Sequence, residues 1–161
     1  MHRPRTLPMM TLLACLLAAS PGRADGDRAA AQVPLHPAYR QECAACHLAY
    51  PPGLLPAASW RRLMDNLPRH FGTDASLDAA TLQQLNTWLA ANAGTHRKVA
   101  RDPSPPPQDR ITRAAWFVRE HDEVPAATWT RPAIKSAAHC AACHTRADQR
   151  EFRERDIRIP R

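Results

Sequence analysis

The chain has 161 residues, of which 44% are hydrophobic and only 6% aromatic, with 16 prolines against 5 glycines. Its formal charge of +7 rests on 22 Lys and Arg against 15 Asp and Glu, a basic balance that raises the question of nucleic acid. No apolar run beyond the first two dozen residues is long enough to span a bilayer, and so small and aromatic-poor a chain needs a staple to hold its core.

Residues 1–24 read as a signal peptide. Arg3 and Arg5 charge its start, Met9 to Ala19 is apolar, and Gly22-Arg23-Ala24 places small residues around a cleavage site. Export to the periplasm is therefore expected. Leu12-Leu13-Ala14-Cys15 resembles a lipoprotein processing box, but the apolar core ahead of Cys15 is short, so this cysteine is read as discarded with the leader. Cleavage removes Arg3, Arg5 and Arg23 and no acid, which takes the charge from +7 to +4.

Pro37 suits the first turn of a helix that carries Tyr39, Cys43 and His47 on one side. It runs into Cys43-Ala44-Ala45-Cys46-His47, and the same pentapeptide returns as Cys140-Ala141-Ala142-Cys143-His144. Cys-x-x-Cys-His is the attachment signature of c-type haem. Two thiols add across the two vinyl groups of one porphyrin, and the histidine that follows is held beneath the iron as its proximal ligand. Cys43, Cys46, Cys140 and Cys143 are thus the candidates for covalent attachment, and His47 and His144 for the proximal positions. A tetrathiolate zinc site built from the two Cys pairs leaves both following histidines unexplained. A thioredoxin-like redox motif needs a βαβ pattern that this chain lacks. Two haem c groups are expected, and they supply the missing staple. Four propionates contribute about −4 and each ferric core about +1, so the oxidised holoprotein lies at about +2 and the reduced one near zero, which argues against nucleic acid.

Tyr50-Pro51-Pro52-Gly53 ends the first helix. Ser59 is expected to cap a second, in which Trp60, Leu63, Met64 and Leu67 fall at helical spacing until Pro68 stops it. Ser76 is expected to cap the longest helix, with Leu82, Leu85, Trp88, Leu89 and Asn92 on one face and Gly94 closing it. The proline run from Arg101 reads as a semi-rigid spacer. It divides the chain into an N-terminal haem domain (25–100), a linker (101–109) and a C-terminal haem segment (110–161). In the last of these, Thr112 is expected to cap a helix with Ala114, Phe117, Val118 and His121 on one face. Pro132 is expected to begin a helix into the second pentapeptide, and Arg146 to Arg161 alternates charge as a solvated helix face does. No run alternates as a strand, so the fold class is mostly α.

Each iron has one axial position still to fill, and its occupant decides the chemistry. Of four methionines, only Met64 survives leader removal, and its place in an apolar stripe marks it as core. Bis-histidine ligation at both irons follows, and with it low potentials. Five histidines are available: His36, His70, His96, His121 and His139. His121, beside Phe117 and Val118, is the distal candidate for the second haem, because a buried imidazole needs a partner. His70, in the loop from Pro68 to Gly72, is the candidate for the first, a placement similar to that of the distal ligand in class I cytochromes. His36 is the alternative. On one helix with His47 it would lie about 16 Å along the axis, awkward for its own haem but able to reach the other. His96 reads as exposed, and His139 is tied to its own attachment loop.

His36-Pro37-Ala38-Tyr39, Glu42 to His47, Ala49-Tyr50-Pro51-Pro52, Leu54-Leu55-Pro56, Ser59-Trp60, His70-Phe71-Gly72, Asp74-Ala75-Ser76-Leu77 and Cys140 to Arg161 together resemble the small bacterial dihaem cytochrome c family. The resemblance implies a periplasmic electron carrier with a class I cytochrome c-like N-terminal haem domain, a smaller and less regular C-terminal haem segment, and bis-histidine irons. It also implies redox partners: an oxygen-binding monohaem c-type cytochrome and a membrane cytochrome b. His139 departs from the small polar residue usual at its position. No catalytic residue is expected. The competing readings are a haem enzyme or sensor with one open iron, and an electron-transfer subunit of a larger reductase.

Overall fold

Five short helices make up the regular structure of the computed structural model, which describes residues 33–161. The leader, its cleavage site and Cys15 lie outside the described residues. The helices are α1 (Pro37–Cys43), α2 (Ala57–Asp65), α3 (Ala79–Asn92), α4 (Arg97–Arg101) and α5 (Ala115–Glu120), with short 3-10 turns between most of them and along the chain after α5. No strand occurs among the described residues, only isolated bridges between His70 and Thr73 and between His144 and Ile157.

Pro37 does open α1, but the helix stops at Cys43, with Ala44 as its C-cap. Helix α2 starts two residues before the expected cap. Pro56 supplies the extended residue ahead of it, and Ser59 lies inside the helix, fully buried. Trp60, Met64 and Leu67 turn the apolar side of this region onto Leu85 and Leu89 of α3, with Tyr39 and Leu55 completing the core. The polar ends of its large aromatics are satisfied, as burial requires: Trp60 Nε1 donates to the Pro52 carbonyl at 2.7 Å and Tyr39 Oη to the Tyr50 carbonyl at 2.8 Å. Asp78, not Ser76, caps α3. Its Oδ1 accepts from the amides of Ala80 and Thr81, both at 3.0 Å, while Ser76 bonds to Asp74.

Two glycines position the loop after α3. Gly94 adopts φ +66° and donates its amide to the Leu55 carbonyl at 2.8 Å. Opposite it, a Cβ on Gly53 would stand 2.6 Å from Thr95 Oγ1 and 2.8 Å from the His96 amide nitrogen.

The proline run lies against the first half of the chain. Pro106 is buried, and Asp109 forms a two-pronged ion pair with Arg62 of α2, to Nε at 2.9 Å and Nη2 at 2.6 Å. Ile111 then packs against the core. Ala114, not Thr112, precedes α5, and this helix is too short for the expected broad face: Phe117 is buried, whereas Val118 is 56% exposed. No helix begins at Pro132. Residues 131–139 pass through turns anchored by buried Ile134. The charged C-terminus is likewise not a helix. Arg150 takes a left-handed φ of +61° that ends a 3-10 turn, and the chain folds back so that Arg158 N donates to the Cys143 carbonyl at 2.8 Å. Arg131 reaches the Pro160 carbonyl at 2.7 Å.

Candidate haem centres

At the first pentapeptide, the C-terminal end of α1 presents Cys43, and the following turn presents Cys46 and His47. His47 Nδ1 donates to the Leu48 carbonyl at 2.7 Å, which fixes the tautomer and leaves Nε2 free to bind. Across from it stands His70. The turn that carries His70 is made by Phe71 at φ +51° and Gly72 at φ +97°, closed by Thr73 N donating to the His70 carbonyl at 3.0 Å. The two imidazole rings lie 6.1 Å apart, centre to centre, and 24° from parallel. Burial first, then the His47 and Arg110 charges, lower the His70 pKa and favour the neutral form that a metal requires. Both histidines line a cavity of about 1220 Å³, with Cys43 and Cys46 at its wall and Leu63, Met64, Leu67 and Leu77 among its apolar lining. Burial also pushes the Cys43 thiol up to about 11.

The second pentapeptide forms a 3-10 turn over Cys140–Ala142, with the Cys143 and His144 amides bonded to the Cys140 carbonyl at 3.2 and 2.9 Å. His144 faces His121 with ring centres 6.1 Å apart, here at 78° to one another. His121 is the C-cap residue of α5. Its Nδ1 donates to the Phe117 carbonyl at 2.8 Å and its ring stacks on Phe117 at 4.0 Å, so its Nε2 is again the free nitrogen. Phe152 meets His144 edge-on at 5.3 Å. Burial, and then the His121 charge, lower the His144 pKa.

These residues fit iron porphyrins. Two imidazoles on opposite sides of one metal, each nitrogen about 2 Å from it and each ring centre about 1.2 Å further out, have centres about 6.4 Å apart. Both observed pairs match that spacing. The Nδ1 atoms of His70 and His144 are moreover buried without a hydrogen-bond partner among the described residues. In contrast, no group of three or more His, Cys, Asp or Glu side chains among the described residues is arranged to hold a metal ion, so the Cys pairs do not converge on a zinc site.

Of the remaining histidines, His139 also lines the cavity of the first site, whereas His36 and His96 do not. His36, the alternative distal candidate, is the N-cap of α1: its Nδ1 accepts from the Ala38 amide at 3.2 Å and its ring packs on Trp88. With one nitrogen committed to the helix end and the ring turned to α3, it does not line the cavity. His139 Nδ1 donates to the Ile134 carbonyl at 3.2 Å. His96 is half-buried against Trp116, not exposed in a polar loop.

One residue to which sequence reasoning gave no part in the site belongs to this region. Tyr50 stacks on His47, ring centres 5.0 Å apart and 22° from parallel, and its hydroxyl donates to the Ala138 carbonyl at 2.7 Å. Burial, and then the neighbouring Cys140 thiol, push its pKa up to about 12, so it remains a donor. No spacing reveals the contact of Tyr50 with Ala138, because the two are 88 positions apart in sequence.

The family model for dihaem cytochrome c matches residues 39–152. The chain belongs to the dihaem cytochrome c family. Among solved structures, it is 36% identical to a dihaem cytochrome type c from Shewanella baltica OS155, over 80% of this chain and 95% of that one, with a TM-score of 0.67. It is 43% identical to a dihaem cytochrome c from Rhodobacter sphaeroides, over 76% of this chain and 100% of that one, with a TM-score of 0.63. A second Rhodobacter sphaeroides structure of this kind is 41% identical, over 74% of this chain and 99% of that one, at a TM-score of 0.60. No curated protein matches the chain. The protein is a dihaem c-type cytochrome with two covalently bound haem c groups, an electron-transfer protein rather than an enzyme. The haem irons supply the one-electron couples. The polypeptide anchors the porphyrins and shapes their surroundings.

Proposed function

We propose that His47 and His70 occupy both axial positions of one haem iron and His144 and His121 those of the other. Cys43 with Cys46, and Cys140 with Cys143, are the thioether anchors. The observation that carries this reading is the pair of imidazole couples, each at 6.1 Å. With both positions filled, neither iron is open to substrate. Each exchanges single electrons with a partner at the haem edge, at the low potential that two imidazoles confer. Residues 25–100 act as a class I cytochrome c-like haem domain with its distal histidine in the loop ahead of α3, residues 110–161 as a smaller haem segment, and 101–109 as the connection. The leader directs the protein to the periplasm, and no helix among the described residues is long and apolar enough to cross a membrane. An oxygen-binding monohaem c-type cytochrome and a membrane cytochrome b are the redox partners that the family resemblance supports.

Carbon monoxide tests the ligation. The reduced wild-type holoprotein is expected to bind none, whereas His70→Ala and His121→Ala each gain one site. Uptake by the folded wild-type protein would overturn bis-histidine ligation at the iron that takes it up.

A further inference from the structure

The Tyr50 side chain bridges the two centres. Tyr50 is fixed at its backbone, where its carbonyl accepts the hydroxyl of fully buried Tyr39 at 2.8 Å. Its ring lies against proximal His47, and its hydroxyl reaches Ala138, 88 positions along the chain. Ala138 is two residues before Cys140, whose Sγ lies 3.7 Å from the same carbonyl oxygen. Cys140 and Ala141 also line the cavity that holds Cys43, His47 and His70, so the attachment turn of the second haem forms part of the wall of the first haem's site.

The segment that Tyr50 reaches has little regular structure to hold it. Residues 131–139 are turns, and the His139 side chain bonds only back to Ile134 within the same segment. Other ties between the two halves fall elsewhere. Arg62 holds Asp109, and Lys98 holds Glu120 at the end of α5. Of these contacts, the Tyr50 hydroxyl is the one that falls next to the attachment turn, two residues before Cys140.

We propose that Tyr50 is a positioning residue that sets the contact between the two haems. It locks the attachment turn of the second against the proximal histidine of the first, and so governs how fast an electron crosses the molecule. Crossing moves one electron from the reduced iron to the oxidised one. No bond forms or breaks, and Tyr50 keeps its proton throughout. The proposal requires covalent haem at both pentapeptides but does not depend on which residues are distal, since failure of the distal assignment would show in the wild-type carbon monoxide binding.

The test uses Tyr50→Phe in the dihaem holoprotein, which keeps the stacked ring and removes only the hydroxyl. Line broadening of the haem methyl NMR signals in a half-reduced, dilute sample gives the intramolecular exchange rate. Hydrogen exchange at the His139 and Ala142 amides reports on the attachment turn. Expected are a severalfold slower exchange of electrons, about fivefold faster amide exchange (the factor that one ordinary hydrogen bond supplies), and unchanged low-spin spectra at both irons. An unchanged electron-exchange rate would overturn the proposal. So would slower exchange accompanied by loss of the low-spin spectrum at the first iron, since Tyr50 would then merely support His47.

Discussion

The two imidazole pairs share one separation and differ in twist, 24° for His47 and His70 against 78° for His121 and His144. Each imidazole donates π-density from an orbital perpendicular to its ring, into whichever iron d orbital lies in that direction. Near-parallel rings both raise the same d orbital and split the pair, whereas near-perpendicular rings raise one each and leave the pair almost degenerate. The shared donation scales as the squared cosine of the twist, about 0.8 at the first site and about 0.04 at the second. Low-temperature EPR of the oxidised holoprotein is therefore expected to show two low-spin signals of equal spin. One is an ordinary rhombic three-line spectrum, the other a single, highly anisotropic low-field line. His70→Ala should remove the first alone and His121→Ala the second alone, each converting about half of the iron to high spin. Phe117 holds the second twist by accepting the His121 Nδ1 hydrogen bond and stacking on the ring. Two rhombic signals in the wild type, or one variant abolishing both signals, would refute this account.

Two further predictions concern the frame around the centres. Gly53→Ala is expected to cost about 1–3 kcal/mol in denaturant unfolding of the holoprotein, the usual penalty of overpacking, because its Cβ would meet the His96 backbone as well as a side chain. Stability unchanged within error would show that the 94–96 loop can move away. Asp109 has its pKa lowered mainly by the Arg62 hydrogen bond, so its contribution is present above the unfolded carboxylate value of about 3.9 and is lost as pH falls through the lower folded value. Acid unfolding of Asp109→Asn, followed by far-UV circular dichroism, should lack that component below pH ~4. Parallel acid profiles for variant and wild type would contradict it.

What could be read from the residues was the chemistry that spacing carries. Two Cys-x-x-Cys-His segments announce the cofactor because all the atoms involved lie within one turn. The scarcity of methionine outside the expected leader pointed to histidine at both irons, and the apolar stripe around His121 and the loop around His70 singled out these two among five candidates. Those are the two histidines that the fold brings opposite His47 and His144. Apolar spacing likewise located α2 and α3, whose faces are long enough to show a period. The start of α3 was misjudged because two capping residues compete within three positions. Asp78 displaces Ser76 because Ser76 is already held by Asp74.

The second half was harder to read for a physical reason. Little of it buries a periodic face: Phe117, Ile134 and Ala147 are its deep apolar contacts, with Ala114 beside them, and Val118 points outward. A segment built around a prosthetic group takes its order from that group and from tertiary hydrogen bonds, such as Thr145 to Asp156 and Arg158 to Cys143. Neither leaves a local signature, so charge alternation from Arg146 to Arg161 resembled a helix while the chain was folding back on itself. The same holds for the proline run. Its composition describes the stiffness of the unfolded segment, but Asp109, at its end, pairs with Arg62 and draws it along α2. The contacts that bring the two haem centres together thus come from single polar side chains with distant partners, which is why cofactor content is legible in this sequence and inter-haem geometry is not.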